Sequence, residues 1–302
     1  MIVTVTPNPA VDLTLTLDAL HPGATHGIAP ARRRAGGKGV NVARVLAQTG
    51  HDALALGLVG TDEADWFARD LPGVTARFTR CAEPTRSTYA LVETGPGRTS
   101  QLNERGAARA PDEWADLYTA IAEAARRARC VTVSGSLPPG AAADAVARML
   151  QSARPAPVIA DLVGDALRAA AACGADVLKP NRDELATTVG TGDPVAGARM
   201  LQEAGAGLVV VSLGEDGLVA VPRTGAPVRG RLPRPLHGNA TGAGDAAVAA
   251  IAGAIDDGLD LDADLPEIVR RAVAFSAAAV LAPLAGTIDE SHTALYTDVI
   301  VD

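Results

Sequence analysis

The segment Gly207-Leu208-Val209-Val210-Val211-Ser212 is an apolar, largely β-branched run that follows a glycine and ends at a serine. Strands that are apolar on both faces are typical of parallel sheets, because the crossover helices of such sheets cover both faces. The segment therefore predicts a central strand of an α/β sheet, and we expect helices and strands to alternate along the chain around it.

The chain upstream of this strand shows that alternation. Apolar residues at helical spacing are interrupted by short apolar runs, which predicts four helices and four strands. In chain order these are helix 112–128, strand Cys130–Ser134, helix 141–153, strand Pro157–Asp161, helix 163–173, strand Asp176–Lys179, helix 193–204 and strand Gly207–Ser212. The pattern predicts a mostly parallel sheet between two layers of helices.

The first third of the chain predicts further strands and a hairpin. Ile2–Thr6 and Ala53–Gly60 are apolar, whereas Leu13–Leu17 alternates leucine with threonine, as a strand with one solvated face does. Thr88–Glu93 and Arg98–Glu104 flank a turn that contains two glycines and a proline. Pairing this hairpin with the alternating strand would make a small separate sheet that could act as a lid.

Composition limits the classes of function. The chain has 302 residues, 48% hydrophobic and 3% aromatic, and a formal charge of −8, which argues against nucleic-acid binding. Three cysteines without a CxxC pair suggest reduced thiols in the cytoplasm, and we find no signal peptide, membrane span or zinc-ligand spacing. Of 27 basic residues only Lys38 and Lys179 are lysine, and a compact ammonium suits phosphate in a tight pocket.

Polar residues and glycines follow the predicted parallel strands. They are Ser134-Gly135-Ser136, Asp161, Lys179-Pro180-Asn181 and Ser212-Leu213-Gly214. Because ligands bind beyond the carboxyl ends of strands in open α/β sheets, we expect these groups to surround a ligand site.

A glycine-rich stretch at 239–255, NATGAGDAAVAAIAGAI, leads into an apolar helix. The first turn of that helix presents unpaired amides and a positive dipole end, which favour phosphate oxygens. Asp245 lies in this first turn, and its carboxylate has two alternative roles. It either interacts favourably with the helix dipole or acts as a general base for phosphoryl transfer.

A second glycine-rich stretch, Ala35-Gly36-Gly37-Lys38-Gly39-Val40-Asn41, opens another helix that ends near Gly50. It is either an ordinary glycine loop or a ligand loop, and it is not a Walker A loop because Gly39 follows the lysine. No G-x-G-x-x-G occurs in the chain, which disfavours a dinucleotide-dependent oxidoreductase. Asp12 could cap a turn or bind ligand hydroxyls.

Taken together, six ordered motifs resemble those of the ribokinase-like (PfkB) carbohydrate kinases, specifically the 1-phosphofructokinase group, which also contains tagatose-6-phosphate kinases and a minor type of 6-phosphofructokinase. They lie at Asn8–Asp12, Gly36–Asn41, Ser134–Gly140, Lys179–Glu184, Ser212–Gly217 and Thr241–Asp245. The resemblance implies one three-layer α/β/α domain over 1–302 with a β-sheet lid from about 12–34 and 86–105. It also implies a homodimer through the lid.

The same resemblance implies ATP- and Mg²⁺-dependent phosphorylation of a phosphorylated ketohexose, with fructose 1-phosphate as first candidate and fructose 6-phosphate or tagatose 6-phosphate as alternatives. Asp245 would be the base, beside an anion hole formed by Gly242, Ala243 and Gly244. The substrate would be bound by Asp12, Gly36, Gly37, Lys38, Asn41 and Arg86, with Arg105 and Ser136 as further candidates. The nucleotide side would contain Lys179, Asn181, Glu184, Ser212, Gly214 and Gly217, and Glu184 would organise magnesium indirectly.

Two alternatives to a 1-phosphofructokinase remain open. Asn239-Ala240-Thr241 precedes Gly242, and Ala246 follows the base, a pattern closer to tagatose-6-phosphate kinases than to phosphofructokinases. A sugar-phosphate-binding regulator without catalytic rate is a further alternative, which the intact Asp245, Gly244 and Glu184 argue against.

Overall fold

The computed structural model describes all residues, 1–302, and contains two sheets and ten α-helices. The strands are β1 (Ile2–Thr6), β2 (Ala10–Leu17), β3 (Arg32–Gly36), β4 (Ala53–Gly60), β5 (Thr75–Cys81), β6 (Arg86–Glu93), β7 (Arg98–Asn103), β8 (Cys130–Ser134), β9 (Val158–Asp161), β10 (Val177–Leu178), β11 (Leu208–Ser212), β12 (Leu218–Val221), β13 (Val228–Arg231) and β14 (Ile300–Val301). The helices are α1 (Lys38–Gln48), α2 (Thr61–Arg69), α3 (Pro111–Ala125), α4 (Ala145–Ala153), α5 (Asp165–Ala172), α6 (Arg182–Val189), α7 (Pro194–Glu203), α8 (Ala243–Asp256), α9 (Leu265–Leu281) and α10 (His292–Asp298).

The large sheet has ten strands in the order β14-β13-β12-β11-β10-β9-β8-β1-β4-β5. The strands from β11 to β5 pair in parallel, and β12, β13 and β14 extend that sheet by antiparallel pairing. The predicted mostly parallel central sheet is therefore confirmed.

Helices cover both faces of this sheet, as the apolar strands require. In β11, Leu208 and Val210 pack into one core with α1, α8 and α9, whereas Val209 and Val211 pack into a second core with α3, α4 and α7. Alternate side chains of one strand thus enter opposite helical layers, which confirms the three-layer α/β/α prediction.

The small sheet has four strands in the order β3-β2-β6-β7. The hairpin of β6 and β7 pairs with the alternating strand β2, as predicted, and β2 and β6 run parallel. Strand β3 was not predicted, because Arg32-Arg33-Arg34 has no apolar pattern, and its pairing with β2 forms it. The small sheet forms one wall of a large cavity at the carboxyl ends of the central strands.

Several boundaries differ from those predicted. Strand β10 is shorter than the predicted Asp176–Lys179, helix α4 begins at Ala145 rather than 141, and α3 ends at Ala125 rather than 128. Strand β5 at one edge of the large sheet was missed because it alternates exposed polar residues with half-buried ones. No helix in the structure combines the length and apolarity needed to cross a membrane.

Candidate active site

A cavity of 1390 Å³ lies where the small sheet faces the carboxyl ends of the central strands and the amino end of α8. The small sheet contributes Asp12, Thr88 and Ala90 to its wall, and α8 contributes Gly244 and Asp245. Its position matches the strand edge at which the sequence predicts a ligand site.

The amino end of α8 supplies free amides to the cavity. Gly242 caps the helix with φ +89°, and a Cβ there would lie 3.0 Å from Ala285 Cα, so the position requires glycine. The amides of Gly242, Gly244 and Asp245 donate to no protein acceptor, whereas the amide of Ala243 donates to the Ala240 carbonyl. Of the three residues predicted to form an anion hole, Gly242 and Gly244 therefore have free amides and Ala243 does not, and the amide of Asp245 is free as well.

Asp245 is buried at this helix end. Its Oδ2 accepts a hydrogen bond of 2.8 Å from Asn41 Nδ2, which fixes the carboxylate from α1. Burial and then the nearby charge of Asp161 raise the pKa of Asp245 to about 7, against the opposing effects of Lys38, Asn41 and Lys179. A carboxylate with that pKa is suited to accept a proton near neutral pH.

The only two lysines of the chain converge on one buried carboxylate. Asp161 Oδ1 lies 3.2 Å from Lys38 Nζ and 3.5 Å from Lys179 Nζ, and Lys38 Nζ is also 3.6 Å from Glu184 Oε1. Although burial acts to raise the pKa of Asp161, Lys179 and Lys38 hold it below its ordinary value. Burial acts to lower the pKa of the Lys38 ammonium. The charges of Asp161, Glu184 and Asp245 outweigh this effect and raise that pKa above its ordinary value. Both ammonium groups are thereby held at the same oxygen of Asp161.

The wall formed by the small sheet contains Asp12. Thr88 Oγ1 donates to Asp12 Oδ1 over 2.6 Å, and burial raises the pKa of this carboxyl. A Cβ at Gly36 would lie 2.0 Å from Asp12 Oδ2. Gly36 itself is buried and outside the cavity wall, so it makes room for Asp12 rather than facing a ligand.

Two further substrate candidates also lie outside the cavity wall. Arg105 is exposed, and only its carbonyl is used, as an acceptor for Asn8 Nδ2. Ser136 is exposed as well, and its Oγ accepts from Asn8 Nδ2 over 3.2 Å. Arg86 does line the cavity, where its guanidinium donates to the carbonyls of Asn8 and Glu104.

The residues predicted for the nucleotide side share one region of the wall. Asn181 caps α6: its side chain accepts from the Glu184 amide over 2.8 Å, and Glu184 Oε2 accepts from the Asn181 amide over 2.9 Å. Asn181 also bridges to Ser212 across the parallel sheet. Gly214 and Gly217 both have positive φ, and a Cβ at Gly217 would lie 2.1 Å from the Gly230 carbonyl. Lys179, Asn181, Glu184, Ser212, Gly214 and Gly217 all line the cavity.

Sequence reasoning missed several residues of the site. Asp161 was noted only as a strand end, and its contact with both lysines depends on the fold. Thr88 and Arg34 were assigned no role, although pairing of β2 with β6 and β3 places them beside Asp12 on one face. No group of three or more His, Cys, Asp or Glu residues could hold a metal ion.

Known proteins resemble this chain in sequence and in fold. The sequence pattern of the pfkB family of carbohydrate kinases matches residues 6–292. The chain is 38% identical over 287 residues to a 1-phosphofructokinase of Xanthomonas campestris, covering 91% of this chain and 89% of that protein. The crystal structure of phosphofructokinase-2 from Escherichia coli in complex with potassium superposes with a TM-score of 0.90 at 26% identity, covering 98% of each chain.

A ribokinase of Arabidopsis thaliana, complexed with ribose and ATP, shares the fold with a TM-score of 0.73 at 22% identity, over 98% of each chain. The ribokinase-like fold is therefore confirmed. The chain belongs to the pfkB family of carbohydrate kinases, and it is a phosphotransferase that acts on a sugar hydroxyl.

Proposed function

We propose that this enzyme transfers the γ-phosphoryl group of ATP to the free primary hydroxyl of fructose 1-phosphate, giving fructose 1,6-bisphosphate and ADP. The observation that carries the reaction is the buried Asp245 carboxylate, held by Asn41 beside three free amides at the amino end of α8. The choice of substrate is supported by the relative named 1-phosphofructokinase.

In the proposed reaction Asp245 accepts the proton of the attacking hydroxyl. That oxygen forms a bond to the γ-phosphorus while the bond from the phosphorus to the β–γ bridging oxygen breaks, and ADP leaves. The free amides of α8 and the Lys179 ammonium stabilise negative charge on the transferring group, because they are fixed before the reaction begins.

On the sugar side, we propose that Lys38 and Arg86 bind the phosphate already present on the substrate. Asp12, Gly37 and Asn41 would bind the sugar hydroxyls. Both cations line the cavity: Lys38 at the start of α1, where it pairs with Asp161, and Arg86 at the start of β6, where its charge acts on Asp12. Arg105 and Ser136 are left out of this assignment because neither lines the cavity.

On the nucleotide side, Lys179, Asn181, Glu184, Ser212, Gly214 and Gly217 would bind ATP. Mg²⁺ is commonly held by one or two carboxylates together with substrate phosphates and water, so it needs no cage of protein ligands. Glu184 fits that arrangement, since it is a cavity-lining carboxylate held in place by Asn181. A bound Mg²⁺ would neutralise charge on the nucleotide phosphates.

The test is a panel of five sugar phosphates with MgATP, read as kcat/KM from coupled ADP release. We expect fructose 1-phosphate to exceed fructose 6-phosphate and tagatose 6-phosphate by more than roughly tenfold. A preference for either 6-phosphate would instead support the alternative substrates of the family. Absence of turnover on the whole panel would support a binding protein.

We also propose a homodimer through the small sheet. Its face opposite the cavity contains the cross-strand pairs Leu15 with Leu91 and Tyr89 with Leu102, and Leu102 is 56% exposed. Such an apolar face favours association with a second copy. Leu102→Asp should shift the sedimentation coefficient to that of a monomer, whereas Met200→Asp, at an exposed position on α7, should not. A wild-type protein that sediments as a monomer would contradict the proposal.

A further inference from the structure

Arg34 connects the small sheet to the opposite side of the cavity. It lies on β3, directly opposite Asp12 of β2, and it lines the cavity. Its NH1 donates a hydrogen bond of 3.1 Å to the carbonyl of Ala285, a residue 251 positions later in the chain. The Ala285 carbonyl is the one hydrogen-bond partner of the Arg34 guanidinium in the protein, and that guanidinium forms no ion pair.

The segment that Arg34 contacts packs directly against the catalytic groups. A Cβ on Gly242 would lie 3.0 Å from Ala285 Cα and 3.2 Å from the Gly286 amide nitrogen. A Cβ on Gly286 would lie 2.8 Å from Asn41 Oδ1. Residues 285–286 therefore touch both the cap of α8 and the side chain that holds Asp245.

The backbone next to Arg34 is fixed to the body of the protein. Asp70 accepts a hydrogen bond of 2.8 Å from the Ala35 amide, and Arg44 NH2 donates to the Ala35 carbonyl over 3.0 Å and also pairs with Asp70. Arg34 thus reaches Ala285 from an anchored strand. A hydrogen bond from an anchored cation can hold the segment that it contacts in one position.

We propose that Arg34 is a positioning residue for phosphoryl transfer. Its hydrogen bond holds Ala285 and Gly286 against Gly242 and Asn41. This contact keeps the free amides of α8 and the Asp245 carboxylate at a fixed position relative to each other. The inference rests on the proposed function, because it assigns those amides to the transferring phosphoryl group.

The kinetic test compares Arg34→Gln with Arg34→Lys and with Arg32→Gln. Arg32 is an exposed arginine on the same strand and outside the cavity wall, so its substitution removes the same charge without breaking the contact. A misplaced catalytic group typically costs up to about 100-fold in rate. We expect Arg34→Gln to lower kcat roughly 10- to 100-fold with both KM values within about threefold of wild type, Arg34→Lys to lower kcat less, and Arg32→Gln to match wild type.

Several kinetic results would contradict the proposal. A rise in the KM for the sugar phosphate with unchanged kcat would make Arg34 a substrate ligand. An unchanged kcat and unchanged KM would show that the contact does not position the catalytic groups. Added guanidinium ion should restore part of kcat to Arg34→Ala, and failure of this rescue alongside normal thermal stability would also count against the proposal.

Hydrogen–deuterium exchange separates this proposal from the choice of substrate. Amides in the peptide covering 282–290 should exchange at least several-fold faster in Arg34→Gln than in wild type or Arg32→Gln, in the absence of any sugar. Unchanged exchange there would overturn the positioning role even if fructose 1-phosphate is the substrate. If fructose 1-phosphate is not turned over, the same kcat comparison is made with the sugar phosphate that wild type uses best.

Discussion

Replacing Asp245 by asparagine should make the protein inactive and more stable at the same time. The asparagine keeps the shape of the side chain, and its carbonyl oxygen can still accept the hydrogen bond from Asn41. It cannot accept the proton of the attacking hydroxyl, so kcat should fall by roughly 10²- to 10⁴-fold.

The gain in stability follows from the pKa of the buried carboxyl. Burial raises that pKa from 3.8 to about 7 in the folded protein, so an ionised Asp245 favours the unfolded chain. At about 1.36 kcal/mol for each pH unit of difference, the cost at pH 8 is on the order of 4 kcal/mol. Near pH 5.5 the folded protein holds the proton and the unfolded chain has lost it, so about half of the cost remains. Below pH 3.8 both states are protonated and the cost disappears.

The assay is urea unfolding of wild type and Asp245→Asn at pH 8 and pH 5.5, followed by circular dichroism. We expect the variant to be more stable by about 2 to 4 kcal/mol at pH 8 and by about half that at pH 5.5. Asp257→Asn is the control: this residue follows the other end of α8 and pairs with Arg271 at the surface, so its loss should cost at most about 1 kcal/mol. A variant that is less stable than wild type at pH 8 would refute the assignment of a buried, costly charge to Asp245.

Three further outcomes follow from the site. Lys38→Met should raise the KM for the sugar phosphate at least roughly tenfold while the KM for ATP changes little, and equal changes in both would exclude Lys38 as the phosphate ligand. Gly244→Ala places a Cβ 3.1 Å from Lys179 Nζ, so the ammonium must move. We expect kcat to fall about tenfold while the melting temperature holds or rises, because alanine favours the helix by about 1 kcal/mol; full activity would contradict the anion-hole assignment. The kcat/KM for the sugar should rise with pH towards a plateau above about 7, after correction for ionisation of the substrates, as Asp245 loses its proton. A flat profile between pH 6 and 8 would contradict its role as the base.

Much of the central sheet could be predicted because its strands are apolar on both faces. Cys130–Ser134 and Ala53–Gly60 have the predicted boundaries, since a buried strand ends where its apolar run ends. Strand β3 shows the opposite case. Three consecutive arginines carry no strand pattern, and this segment is extended because β2 pairs with it and Asp70 and Arg44 fix its backbone.

The site could be predicted only as far as local motifs reach. The glycine-rich start of α8 indicated the free amides, whereas helix α6, which Asn181 and Glu184 cap, was not predicted. The contacts that set the chemistry join distant positions: Asn41 and Asp245 are 204 residues apart, and Lys38 and Asp161 are 123 apart. Arg105 and Ser136 were included for their charge or position near motifs, but both side chains lie outside the cavity wall.

The confinement of both lysines to the cavity has a practical consequence for work with this enzyme. Reagents that acylate side-chain amines, such as those used to attach biotin, dyes or a sensor surface, find no lysine elsewhere on the protein. Lys179 is 3% exposed, and the ion pair with Asp161 keeps the more accessible Lys38 in its unreactive ammonium form. Labelling is better directed to the exposed thiol of Cys173, which leaves the substrate cavity untouched.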